Sequence, residues 1–315
     1  MKIAFHTPNL NFRGSCVALY DYAHYNELLL GNQSIIVTDL SQHSSSDPIA
    51  IEWIRRRFPI RFYRTKEDLL DILKEETCHL LYCIKYGTND GICFSHFPTV
   101  IHCVFDMTQP HGDVYAGVSR TLANKFGSSL YVPHMISLIP RTNNTLRQSL
   151  DIPESAIVFG RHGGQDTFNL EFAKRVISRL VRETDIHFVF LNAPQWDIHA
   201  QIHYLPATTD KERKELFINT CDAMIVPETM GHTFGMSIAE FSIRCKPIIC
   251  YNGTVWNKTH LDILGDDGIY FENEQQLYTL LKEFVKTTRP NAYQTYTPSH
   301  VMSRFFNVFL KDRID

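Results

Sequence analysis

Two absences narrow the class of this 315-residue chain: it has no excess of basic charge and no long apolar run. Lys and Arg number 31 against 34 Asp and Glu, for a formal charge of -3. That balance excludes the positive field that binding to nucleic acid or an anionic membrane requires. The densest basic stretch, Arg55 to Arg57, reads as a solvated helix face. No run approaches the roughly 18 apolar residues of a membrane-spanning helix, so no integral membrane segment is expected. The opening MKIAFHTPNLNF has a short apolar run ended by Pro8, too little for a secretory leader, and the expectation is a cytoplasmic protein.

Metal-binding spacings are missing as well. The eight cysteines form no C-x-x-C pair and mostly lie in or beside apolar runs, as buried free thiols do. The fifteen histidines show neither H-E-x-x-H nor a His/Cys zinc spacing, and no Asp-x-Asp stands at a strand end. No metal and no resident cofactor is therefore expected. Four Asn-x-Ser/Thr sequons, at Asn32, Asn143, Asn252 and Asn257, read as chance in a cytoplasmic chain.

What the sequence does contain is a repeated alternation. Short continuous apolar runs at 2–6, 34–39, 60–64, 79–86, 99–105 and 114–119 suit strands buried on both faces, and helical patterns at 15–30 and 66–76 lie between them. The second half repeats this pattern. Strands are expected at 156–161, 186–193, 222–227 and 246–252, and again near 268–273. Helices are expected at 169–184, 210–221, 237–245 and 274–288. Strand–helix–strand repetition predicts an α/β chain of two Rossmann-like domains, at 1–135 and 151–297. A proline-bearing polar linker spans 134–153, and an amphipathic helix at about 298–315 packs on either half.

The segment PETMGHTFGMSIAEF, residues 227–241, concentrates the chemistry. It joins a strand to a helix, and in parallel α/β sheets ligands bind beyond the strands' C-terminal ends. A helix start near Phe234 to Ser237 presents the N–H groups of Gly235, Met236 and Ser237 to an anion. Glu240, a turn further on, reads either as an acceptor for ribose hydroxyls or as a solvated carboxylate. The bland alternative for the whole segment is a structural turn capped by Thr233 or Ser237.

From Asp222 through Pro227, Phe234, Gly235, Glu240, Pro247 and Ile248, the chain resembles the donor-site signature of retaining GT-B glycosyltransferases, the E-x7-E type of glycosyltransferase family 4. The resemblance implies parallel sheets of two Rossmann-like domains facing across a cleft. The second domain takes a nucleotide-diphosphate sugar and the first an acceptor: glycan, lipid-linked or small molecule. It implies donor contacts at Phe234, Gly235, Met236, Ser237 and Glu240. Gly160 and Arg161 match the family's Gly-Arg pair, with Arg161 on the diphosphate and backbone N–H groups near Gly163 and Gly164 assisting. Gly14 remains of the family's N-terminal Gly-Gly pair, with Arg13 beside it as an extra phosphate contact.

Two positions depart from that signature. The first carboxylate of the E-x7-E pair is His232, which faces the donor sugar and phosphate region in the resembled enzymes. The lysine that usually follows Gly-Arg is Asp166, which leaves His162 or Lys258 as further candidates for phosphate contact. In the first domain, Asp106 at a strand end and His111 in the loop beyond it are expected near the reacting sugar and acceptor hydroxyls, while His102 inside the strand reads as a core histidine. The resulting expectation is a metal-independent hexosyltransferase that retains anomeric configuration. Two other readings stay open: a non-catalytic sugar-nucleotide or glycan binder, and a sugar-nucleotide epimerase on the same scaffold.

Overall fold

The computed structural model describes residues 1–137 and 139–313. Position 138, in the expected linker, and positions 314 and 315, at the end of the expected C-terminal helix, lie outside the described residues. The chain forms two compact units, Met1–Ser137 with Thr295–Asp315, and Leu138–Gln294.

The first unit runs β1 (Lys2–Thr7), α1 (Gly14–Leu30), β2 (Gln33–Asp39), α2 (Pro48–Arg55), β3 (Ile60–Tyr63), α3 (Lys66–Glu75), β4 (Leu80–Lys85), β5 (Thr99–Cys103), β6 (Val114–Gly117) and α4 (Arg120–Lys125). The strands form one parallel sheet in the order β3-β2-β1-β4-β5-β6. The apolar runs become strands because helices cover both faces: every residue of β4 and β5 is buried. His102 on β5 is a core histidine, as expected. It is fully buried and bonded to the Tyr82 hydroxyl at 2.6 Å and the Val132 carbonyl at 2.7 Å.

The second unit runs β7 (Val158–His162), α5 (Glu171–Glu183), β8 (His187–Leu191), β9 (Ile202–Leu205), α6 (Lys211–Thr220), β10 (Ala223–Val226), β11 (Gly231–His232), α7 (Met236–Ser242), β12 (Ile248–Tyr251), β13 (Asn257–Lys258), α8 (Thr259–Leu264), β14 (Ile269–Phe271) and α9 (Glu274–Lys282). Six of its strands form a second parallel sheet, β14-β12-β10-β7-β8-β9. Read from β9, this is the same doubly wound order as the first sheet. Each sheet therefore has a switch point, between β1 and β4 in one and between β7 and β10 in the other, where the connections leave on opposite sides and open a crevice at the strand ends.

Helix α10 (Pro298–Phe305) belongs to the first unit. Its Phe305 is fully buried, with ring centroids 5.3 Å from Tyr22 and 5.2 Å from Tyr82. Pro298 occupies the first turn, where its missing N–H costs nothing.

Several elements depart from the expected pattern. Helix α2 was not expected. Asp47 starts it by accepting the N–H of Ile49 at 2.7 Å, with Pro48 in the first turn. The Arg55 and Arg56 side chains at its end are 56% and 77% exposed, a solvated face as read from the sequence. Helix α4 and the two-residue parallel ribbon β11–β13 were also not anticipated. The helix expected over 274–288 stops at Lys282, ahead of a segment with Thr287, Thr288 and Pro290, which favour extended backbone. All eight cysteines are free thiols. No helix among the described residues is long and apolar enough to cross a membrane.

Candidate functional site

The second unit's switch point gathers most of the expected donor residues. Arg161 sits on β7 near its end and is 3% exposed. Its Nη2 donates to Thr167 Oγ1 and, at 3.3 Å, to the Gly164 carbonyl. The guanidinium carbon lies 5.6 Å from the Phe168 ring centre, and Nη1 has no partner. Burial lowers the Arg161 pKa to about 10, opposed by the negative charges of Glu228 and Asp166. A buried guanidinium nitrogen without a partner is costly unless something else meets it. Gly163, whose carbonyl accepts from the Asn192 amide at 2.9 Å, and Gly164 shape the turn that holds Thr167 against the arginine.

Helix α7 follows β10, the parallel neighbour of β7, and so begins beyond the same edge of the sheet; Gly160 on β7 also packs against Phe241 of α7. A Cβ on Gly160 would lie 3.0 Å from the Phe241 ring. Gly235 starts the helix at φ 87°, a conformation natural only to glycine, and no side chain caps the first turn. The Thr233 or Ser237 cap is therefore not formed, and the N–H groups of the turn at Met236 and Ser237 have no intrahelical partner by construction. Phe234 is buried, its carbonyl accepts from Tyr293 Oη at 2.9 Å, and its ring sits edge-on to the Tyr293 ring. Its role in this structure is to anchor the turn from below.

Glu240 points inward. Its Oε1 accepts from Lys214 Nζ on α6 at 2.7 Å, and its Oε2 lies 2.8 Å from His162 Nε2, close but poorly aligned for a hydrogen bond. Burial pushes this carboxyl's pKa up, but Lys214 and His162 together outweigh it and bring it to about 2. Burial lowers the His162 pKa, against the pull of Glu240. In this conformation the carboxylate read as a ribose acceptor is instead the centre of a buried ion pair that ties α7 to β7 and α6. His162 is likewise engaged inside the unit.

His232, on β11, is placed by its neighbours. Its Nε2 lies 2.9 Å from Glu228 Oε1, and its backbone N–H donates to His260 Nδ1 at 3.3 Å. The parallel ribbon puts the exposed Lys258 in register with it. Gly231 holds the entry to the ribbon at φ 68°, and a Cβ there would sit 1.8 Å from the Asn257 carbonyl oxygen. A buried carboxylate thus lies beside position 232: Glu228, four residues earlier and 3% exposed, which also faces the Arg161 charge. Sequence reasoning missed Glu228, Lys214 and His260. Only Glu228 carried a local signal, an acid directly after the strand-ending Pro227.

In the first unit, Gly14 opens α1 and Arg13 stands just before it. Asp106 accepts the Thr108 N–H at 2.8 Å, a turn-forming bond. His111 Nδ1 meets the Gln109 carbonyl at 2.7 Å, and burial lowers its pKa. Tyr115 contacts both. Its hydroxyl donates to the Asp106 carbonyl at 3.1 Å, and its ring centre lies 5.3 Å from that of His111.

No protein-family model and no curated protein matches the sequence. Solved structures do match over nearly the whole chain. HepE of Anabaena, in complex with UDP and glucose, superposes with a TM-score of 0.71 at 12% identity, covering 98% of each chain. The chain has the GT-B fold. A glycosyltransferase from Rickettsia africae matches at TM-score 0.63 and 10% identity, over 99% of this chain and 95% of that one. WaaG, a glycosyltransferase involved in lipopolysaccharide biosynthesis, matches at 0.61 and 9% identity, over 99% and 98%. The two parallel six-stranded sheets are the Rossmann-like halves of that GT-B fold.

Proposed function

We propose that this GT-B protein is a glycosyltransferase that moves a sugar from a nucleotide-diphosphate sugar to an acceptor hydroxyl, with retention and without a metal, in the cytoplasm. The observation that carries the reading is Arg161, a buried guanidinium at the second sheet's switch point with Nη1 unpartnered. The uncapped start of α7 on the same edge supports it. A related fold in complex with UDP-glucose, HepE, makes a diphosphate the natural partner for that pair. In the proposed reaction the bond from the anomeric carbon to the diphosphate oxygen breaks and the acceptor oxygen forms the new one. The acceptor's proton passes to the departing diphosphate. Arg161 and the N–H groups of Met236 and Ser237 stabilise the charge that develops there. Retention and the hexosyl class rest on the E-x7-E resemblance. His232, held by Glu228, faces the donor sugar in this reading, and Asp106 and His111 lie toward the acceptor.

Asp166 at the usual lysine position and the inward Glu240 favour a second reading, a sugar-nucleotide binder without turnover. One set of experiments separates the two. Thermal-shift titration with UDP, GDP, ADP, TDP and CMP finds the base, because a specific ligand stabilises as the logarithm of its concentration over Kd. Nucleotide release from the matching sugar nucleotide, with and without EDTA, then reads turnover and metal dependence, and NMR of the product reads its anomeric configuration. Binding without release selects the second reading. If none of these nucleotides binds, both readings fall.

A further inference from the structure

The first sheet has a switch point of its own, and a cavity of about 340 Å³ opens there. Ligand pockets run from about 300 to 1,000 Å³, so one small ligand or one ring of a larger one fits. Its lining comes from the C-terminal ends of four adjacent strands: His6 of β1, Asp39 of β2, Tyr63 of β3 and Lys85 of β4, with Tyr86 and Asp90 from the following loop.

We propose that this cavity binds a neutral, hydroxyl-rich sugar unit of the acceptor, with the exposed Tyr86 of its lining, and the Phe105 ring beside it, as the stacking surface. The acceptor role rests on the glycosyl-transfer reading; saccharide binding at this place does not.

Three observations support this assignment. First, the cavity's cation is already used. The Lys85 side chain is 2% exposed and its Nζ lies 2.5 Å from Asp90 Oδ1. One lysine against Asp39 and Asp90 leaves a lining charge of -1 (one positive, two negative), which repels phosphates and carboxylates and accepts hydroxyl hydrogens. Second, His6 in the cavity floor is 1% exposed. Its Nε2 lies 2.7 Å from the Tyr63 hydroxyl, while its Nδ1 has no partner, a deficit that a ligand or an ordered water resolves. Burial brings the His6 pKa to about 4, against the pull of Asp90, so the ring adds no positive charge near neutrality. Third, Tyr86 and Phe105 are 60% and 44% exposed, with ring centres 5.4 Å apart. Exposed aromatic surface beside a polar cavity matches a sugar ring, which has an apolar C–H face and a polar rim.

The stacking surface is also rigid. The N–H groups of Phe105 and Asp106 donate to the Tyr86 carbonyl at 2.9 and 3.0 Å, and Tyr115 Oη donates to the Gly87 carbonyl at 2.6 Å. Gly87 runs so close to the Asp106 carbonyl that a Cβ would come within 1.7 Å of its oxygen. The cavity wall is thereby joined to the loop that carries Asp106 and His111.

The test uses the full chain and saturation-transfer NMR titrations with methyl glycosides, lactose and maltose, set against glucose 6-phosphate and inorganic phosphate. A neutral sugar is expected to bind. Tyr86→Ala should weaken it about tenfold, equivalent to about 1.4 kcal/mol. Tyr86→Phe should restore binding, and His6→Gln, which keeps a polar atom toward Tyr63 but removes Nδ1, should weaken it. Binding of the nucleotide found by thermal shift should not change in the Tyr86 variants. The proposal is overturned if no sugar in the panel binds, if Tyr86→Ala leaves sugar binding intact, or if the phosphorylated ligands compete better than their neutral counterparts. Nucleotide binding without sugar binding sinks this proposal alone; sugar binding without nucleotide binding sinks the donor reading alone.

Discussion

Glu228 Oε1 and His232 Nε2 lie 2.9 Å apart, the carboxylate buried and the imidazole side chain 22% exposed. The carboxylate orients the ring, so the two side chains should act as one unit. A double-mutant cycle of Glu228→Gln and His232→Ala on kcat/KM is expected to show a coupling of about 0.5–3 kcal/mol, with the double variant losing less than the sum of the singles. Strict additivity would remove the pairing from the mechanism.

Arg161→Met is expected to weaken nucleoside diphosphate binding roughly 10- to 100-fold, the loss of a charge-assisted contact of about 1.5–3 kcal/mol. Stability of the unliganded protein should fall little, because the substitution also removes a buried charge with one nitrogen unpartnered. Calorimetric titration and urea unfolding read the two effects separately. An unchanged nucleotide affinity would detach Arg161 from the diphosphate.

Acid should destabilise the fold in two stages. His6 and His102 are fully buried, and burial lowers each from the ordinary 6.5 to about 4. Below 6.5 the unfolded chain takes up these protons first, so stability falls as pH drops toward 4, by up to about 1.4 kcal/mol per histidine per pH unit. Glu240 works the same way lower down. Its carboxyl is held near 2 against an ordinary 4.5, so the stability it contributes is whole above 4.5 and is lost between 4.5 and 2. Urea midpoints measured from pH 7 to 3 should decline throughout. A flat profile between 6.5 and 4 would contradict the neutral, buried histidines.

Gly231→Ala should cost about 1–3 kcal/mol from the left-handed backbone alone, and more from the collision with the Asn257 carbonyl. Gly91→Ala is the comparison, since its φ is 80° but nothing lies within 4 Å of the added carbon. If both variants lose the same stability by urea unfolding, the ribbon does not depend on that close approach.

Much of the architecture could be read from residue order, because strands buried on both faces leave continuous apolar runs such as HLLYCIKY, residues 79–86. Short elements with weak patterns escaped. Helix α4 has six residues, and strands β11 and β13 have two each, with nothing periodic to detect. At the site, Arg161 and Gly235 were legible because strand ends and sharp turns mark themselves. The partners of Glu240 were not. Lys214 lies 26 positions away on another helix, and only the packing of α6 against β7 and α7 brings the charges together. A local pattern reports which groups are present at a strand end; it does not report which of them the fold neutralises. For that reason Glu240 looked available from its spacing and is engaged in the structure.

The return of α10 to the first unit has a consequence for how the chain is made. Residues 1–137 leave the ribosome early, yet Phe305, which packs against Tyr22 and Tyr82, arrives only after the whole of the second unit has been synthesised. The amino-terminal half is therefore the one that closes last. Until then its nascent core lacks an aromatic plug, and any nascent fragment cut short before residue 305 should be the species that chaperones hold.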